Sequence, residues 1–111
     1  MIKAAVALVL LTFSMEQLMA QETHALGLDV SEESDMVEVL LRANSPHAQT
    51  VQYTLEVTGR SSSTHRGKTS LRANTPAVLT TIRTASDGDW CARLVVEEQG
   101  REPYELTRGS C

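Results

Sequence analysis

Polar and apolar residues alternate one for one in several short stretches of this chain, and that period belongs to strands. It is cleanest in Val51-Gln52-Tyr53-Thr54-Leu55-Glu56-Val57-Thr58. Successive side chains of a strand point to opposite faces, so one face of this segment meets a core and the other meets water. Trp90 to Glu97 repeats the pattern, with Trp90, Ala92, Leu94 and Val96 inward and Cys91, Arg93, Val95 and Glu97 outward. Gln99-Gly100 follows, and beyond Pro103 the alternation resumes with Tyr104 and Leu106, which predicts a hairpin. A turn centred on Gln99-Gly100 makes facing positions sum to 199, which sets Cys91 opposite Arg108.

Four more segments complete the set. Leu26, Leu28 and Val30 share one face of a first strand, and Val37, Val39 and Leu41 share one face of a second. Glu33 to Arg42 also reads as a short helix. Its β-branched residues and the Asn44-Ser45-Pro46 turn favour strand. Lys68 to Arg72 and Val78 to Thr84 are the remaining two, separated by Asn74-Thr75-Pro76. Gly59 to Ser70 is polar throughout and is expected to be a mobile loop leading into an edge strand, where Arg66 and Lys68 would discourage aggregation. Seven short strands with regular turn signals predict an all-β chain, a small antiparallel immunoglobulin-like β-sandwich. No internal repeat is visible.

Length sets the outer limits. At 111 residues the chain makes one domain at most. Lys3, the apolar run Ala4 to Phe13, and Ala20 before the polar Gln21 read as an export signal over residues 1–20, leaving 21–111 to fold. The run is too short for a membrane span, which needs about 20 apolar residues. No cysteine follows it to carry a lipid anchor. A (β/α) barrel or doubly wound sheet does not fit in this length, and one thin core leaves no room for a buried cofactor.

Charge changes the picture more. The chain carries a net charge of −4, yet the sign is segregated. Glu22 to Val57 holds seven acids and one base, Arg42; Asp87 onward holds six acids and three bases. Between them, Thr58 to Ser86 holds Arg60, Arg66, Lys68, Arg72 and Arg83 and no acid at all. A basic run is ordinarily a solvated face. Twenty-nine residues without an acid, inside an acidic chain, also fit a docking patch for something negative.

Candidate chemistry is sparse. His24, His47 and His65 are scattered, with no zinc spacing among them. Ser61 to Ser63 lacks a nucleophile elbow, and Asp87-Gly88-Asp89 lacks the distal ligands of a calcium loop and reads as a tight turn. No phosphate-binding glycine loop is present. No catalytic residue, metal or cofactor is therefore expected. The basic stretch lacks interleaved aromatics, so nucleic acid is not the expected partner, nor is a membrane. Cys91 and Cys111 are the only cysteines. In an oxidising compartment a disulfide between them is the default reading, with free or intermolecular thiols as the alternative. A thiol oxidoreductase would want a Cys-x-x-Cys pair, and that spacing is missing.

Several runs together resemble a known family. They are Tyr53-Thr54-Leu55-Glu56-Val57-Thr58-Gly59, the Ser/Thr-rich basic Ser61 to Ser70, Asp89-Trp90-Cys91-Ala92-Arg93-Leu94-Val95-Val96-Glu97-Glu98, and Tyr104-Glu105-Leu106. Over roughly Val37 to Cys111 the chain is similar to the CsgC-like family, in particular its CsgH branch. The resemblance implies a small periplasmic protein with an immunoglobulin-like sandwich, a monomer that keeps curli amyloid subunits soluble. It implies a positive surface facing an acidic, strand-forming curli-type subunit, which maps here onto Arg60, Arg66, Lys68, Arg72 and Arg83. The CsgC branch carries Cys-x-Cys, and Cys91-Ala92-Arg93 departs from it, so redox chemistry does not carry over. A structural or adhesion-type sandwich that assembles through a strand edge is the competing expectation.

Overall fold

The computed structural model describes residues 24–111; the export-signal reading of residues 1–20 lies outside the described residues. Seven strands run in order: β1 (Leu26–Glu33), β2 (Met36–Ala43), β3 (Gln49–Thr58), β4 (Ser62–Leu71), β5 (Ala77–Ala85), β6 (Cys91–Glu98) and β7 (Tyr104–Gly109). They form two antiparallel sheets, ordered β1-β2-β5 and β4-β3-β6-β7. Both sheets turn their apolar side inward. Leu26, Leu28, Val37, Val39, Leu41 and Ile82 from the first meet Val51, Leu55, Val57, Leu71, Ala92, Leu94 and Val96 from the second in one core. This is the immunoglobulin-like sandwich expected from the alternation. The helical reading of Glu33 to Arg42 is overturned. Val37, Val39 and Leu41 are fully buried at period two, which a helix could not do.

Gly59 to Ser70 is not a loop. From Ser62 to Leu71 every residue pairs in register with β3, from Thr58 back to Gln49. Alternation reports burial, and β4 buries almost nothing; only Leu71 is fully inside. Its order comes from main-chain bonds to β3, which leave no trace in the hydropathy pattern. One close contact fixes its middle. Gly67 faces Tyr53, and a Cβ built on Gly67 would lie 2.5 Å from Tyr53 Oη and 2.6 Å from Cζ. Tyr53 packs on the core and cannot simply swing away. Gly67→Ala should therefore cost about 1–3 kcal/mol in a thermal melt. The same change on a Tyr53→Ala background should cost far less; equal costs would show that the ring is not the obstacle.

The last hairpin is shifted by one residue from the expected register. Cys91 faces Gly109 and Ala92 faces Arg108, so facing positions sum to 200. The turn itself is where the sequence predicts it, with Gly100 at φ 73° and Arg101 N–H bonded to Glu98 O at 3.4 Å. The extra residue enters on the returning limb, at Glu102-Pro103, where Pro103 has no N–H for the ladder. Beside this turn a polar cluster is buried. Glu98 Oε2 accepts from Ala25 N–H at 2.9 Å and from the Tyr104 hydroxyl at 2.5 Å. Its Oε1 accepts from Gln49 Nε2 at 3.3 Å, and Gln49 Nε2 also reaches Ser45 Oγ at 3.0 Å. Tyr104 Oη in turn accepts from Leu26 N–H at 3.2 Å, and His24 stacks on the Tyr104 ring at 3.9 Å.

Candidate functional site

The five basic residues singled out in the sequence do not form one patch. Arg66 and Lys68 lie two positions apart on β4, an edge strand, and both are exposed. Strand side chains alternate, so the two point to the same face, away from the core. Arg72 is exposed one residue beyond the end of β4. At about 3.3 Å per residue these three cations span roughly 20 Å of edge. Arg60 is in the β3–β4 turn, and its Nη1 lies 3.3 Å from Asp87 Oδ2. Arg83 belongs to the other sheet, on β5, where its Nε lies 2.9 Å from Glu38 Oε2.

The distinction is electrostatic. Arg60 and Arg83 are each matched locally by a carboxylate. No carboxylate among the described residues pairs with Arg66, Lys68 or Arg72. Exposed ion pairs add little stability, but they cancel the field seen by a partner. Three cations without a carboxylate partner therefore follow one another along β4 and just past its end. The row does not extend across the whole sheet. Beside Lys68 stands Gln52, and beside Gln52 stands Glu97; beside Arg66 stand Thr54 and then Val95. Further on, Arg93 and Glu105 lie 3.9 Å apart across β6 and β7. The surface thus grades from a cationic edge to a mixed face within three strands.

Cys91 and Cys111 are joined in a disulfide, with Cα atoms 5.1 Å apart. It closes the C-terminal tail onto the start of β6, with β3 separating β6 from β4. The default pairing is the one found. Glu98 is the residue that the alternation could have found. Ala92, Leu94 and Val96 face inward, and the next position at the same spacing is Glu98, 5% exposed.

No family model matches the chain, and no curated protein matches it. Solved structures do. The E. coli curli protein CsgC matches with a TM-score of 0.53 and 17% identity, over 74% of this chain and 94% of that one. CsgH of R. palustris matches with a TM-score of 0.54 and 14% identity, over 76% of this chain and 89% of that one. The chain has the CsgC/CsgH fold. The match runs over nearly the whole of CsgC and CsgH, so it is a likeness of complete sandwiches and not of a shared hairpin. At these identities it is a likeness of backbone architecture. It agrees with the CsgC-like resemblance in the sequence.

Proposed function

We propose that this protein is a periplasmic, chaperone-like inhibitor of curli-type amyloid assembly that meets its client through the β4 edge. The observation that carries this reading is the row Arg66, Lys68 and Arg72, cations without acidic partners on the edge of a net-acidic domain. The likeness in fold to CsgC, a curli protein, supports a curli-type client. The disulfide suits an oxidising compartment. Arg60 and Arg83 belong to the same basic stretch, but their carboxylate neighbours make them lesser contributors.

An amyloid subunit grows by adding strands to an exposed edge. A soluble sandwich with a cationic edge meets an acidic, strand-forming chain quickly and weakly, by long-range attraction that salt screens. Fast, weak contact suits a factor that acts on early oligomers well below equimolar ratio. The test follows fibril growth of a desalted curli-type subunit by thioflavin T, at low and high salt. The wild-type protein should delay growth, and salt should shorten the delay. A triple variant, Arg66→Glu, Lys68→Glu and Arg72→Glu, should shorten the delay on the order of tenfold while melting as wild type does. Arg60→Gln with Arg83→Gln should change it little. A triple variant that still delays growth fully would return β4 to a solvated edge.

A further inference from the structure

The direction of the β4 backbone can be read from two bonds. Thr50 N–H donates to Gln99 Oε1 at 3.0 Å, and Gln99 lies just past β6. The even-numbered residues of β3 therefore turn their main-chain groups toward β6, and the odd-numbered ones toward β4. The bond from Ser110 N–H to Trp90 O at 2.8 Å, on the far side of β6, obeys the same alternation. With Val51 facing Thr69, Tyr53 facing Gly67 and Leu55 facing His65, the odd residues of β4 exchange bonds with β3. Thr64, Arg66, Lys68 and Ser70 then present their N–H and C=O groups to the open edge. The same residues carry the outward side chains, so the two unpaired cations and the unpaired backbone groups coincide at Arg66 and Lys68.

Among the four edges of the sandwich this one is distinctive. The β1 edge has its Leu26 N–H covered by Tyr104 Oη. The β5 ladder slips where Leu41 gives way to Arg42 on β2. The β7 strand is short and ends in the disulfide-tied tail. β4 runs for ten residues with no slip against β3. We infer that the open edge of β4 takes an extended acidic segment of its client as an added strand, one with carboxylates two residues apart that lie over Arg66 and Lys68. This rests on the reading of β4 as the client contact and specifies the form of that contact. The side of β4 that turns inward carries Ser63, His65, Gly67 and Thr69, none of them apolar and large, so the added strand needs only small or polar residues between its acids. A second copy of β4 is a poor occupant, because cations would stand against cations, and like charges directly opposite oppose pairing. Charge here rejects the protein's own edge and admits an acidic one.

The probe is a peptide of alternating Glu and Thr, about eight residues long, a common strand length. It is titrated at low salt into the purified, isotope-labelled protein while amide exchange is followed. The Arg66 and Lys68 amides should slow by about tenfold or more at saturation, while Gly67 and Thr69, already bonded to β3, should not change. A peptide of the same sequence, N-methylated on the residues that face the edge, keeps every charge and loses the bonds; it should bind about fivefold to tenfold more weakly. Equal binding of both peptides, with no slowing at Arg66 and Lys68, would overturn strand addition. If the glutamate reversals still abolished the fibril delay in that case, the inhibitor reading would survive alone. Peptide pairing at the edge together with no delay of fibril growth by the wild-type protein would support strand addition and sink the inhibitor reading; pairing with an undiminished delay in the reversed variant would place the client contact away from β4 and overturn the inference. Slowing of the same amides on concentrating the protein without peptide would assign the edge to a second copy and overturn the inference.

Discussion

Glu98→Ala should lower the melting temperature by roughly 15 °C, the equivalent of about 3 kcal/mol in a domain of this size. The Glu98 side chain is 1% exposed, and its carboxylate accepts from three donors on three different segments: Ala25 N–H, Tyr104 O–H and Gln49 Nε2. Removing it leaves those donors buried without an acceptor, at about 1–3 kcal/mol for each that finds no water. Against a total of about 5–10 kcal/mol for such a domain, one residue then holds a third or more of the stability. Arg101 Nη1, 3.9 Å from Glu98 Oε1 at the surface, balances the charge without removing it from the interior. Glu98→Gln keeps one acceptor oxygen and should cost less than Glu98→Ala. Tyr104 adds a pH signature. Burial first, and then its bond to the Glu98 carboxylate, hold the phenol well above its ordinary 10.0. A value raised on folding contributes stability that is complete below the unfolded value and is lost as pH climbs above it. The wild-type protein should therefore lose stability as pH rises past about 10, and Glu98→Ala should lose less over the same window. A melting temperature within about 2 °C of wild type for Glu98→Ala would show that the cluster anchors nothing.

What could be read in advance divides along a physical line. Burial imprints itself on the sequence, so the strands that line the core were legible from Val37, Val39 and Leu41, from Val51, Leu55 and Val57, and from Ala92, Leu94 and Val96. Pairing without burial does not imprint itself. β4 was expected to begin only at Lys68, because Ser62 to Gly67 shows no apolar period. The structure extends it back to Ser62 through main-chain bonds alone. The hairpin register failed by one residue for a related reason. The turn residues were correct, but the extra residue at Glu102-Pro103 is a main-chain accommodation that side-chain pattern does not encode. The basic stretch was legible as a run of five cations. Its division into an open row and two neutralised residues was not, because Asp87 and Glu38 are distant in sequence from Arg60 and Arg83 and come beside them only in the folded protein.

The strand without a hydrophobic period and the open row of cations coincide on β4. The segment without a hydrophobic period is the one that carries Arg66 and Lys68, and a strand that buries little has its side chains free for other work. A core strand cannot change charge without losing stability. An edge strand held by its backbone can. Charge reversal at Arg66, Lys68 and Arg72 therefore separates function from folding more cleanly than any substitution on β3 or β6 would.

Cys91→Ser with Cys111→Ser should destabilise the protein by about 3 kcal/mol, the chain-entropy value for a closed loop of about twenty residues. The bond ties the start of β6 to the tail two residues past the last ladder pair, Cys91 with Gly109. Local contacts already favour that closure. Ser110 N–H bonds Trp90 O at 2.8 Å, and Gly109, at φ 88°, lies so close to Trp90 that a Cβ there would strike its carbonyl oxygen and ring. Such contacts are made in the folded state, whereas the disulfide acts on the unfolded chain, so they do not replace it. With Glu98 and Tyr104 at the turn end and the disulfide at the open end, the β6–β7 hairpin is fastened at both ends. A melt with and without reductant should show a fall of roughly 15 °C for the wild-type protein and none for the double serine variant. The β4 edge is two strands away across β3, so the oxidised protein and the serine variant should delay fibril growth equally at a temperature where both are folded. A serine variant that is fully folded but no longer delays growth would place the functional surface at the disulfide end of the sheet and away from Arg66 and Lys68.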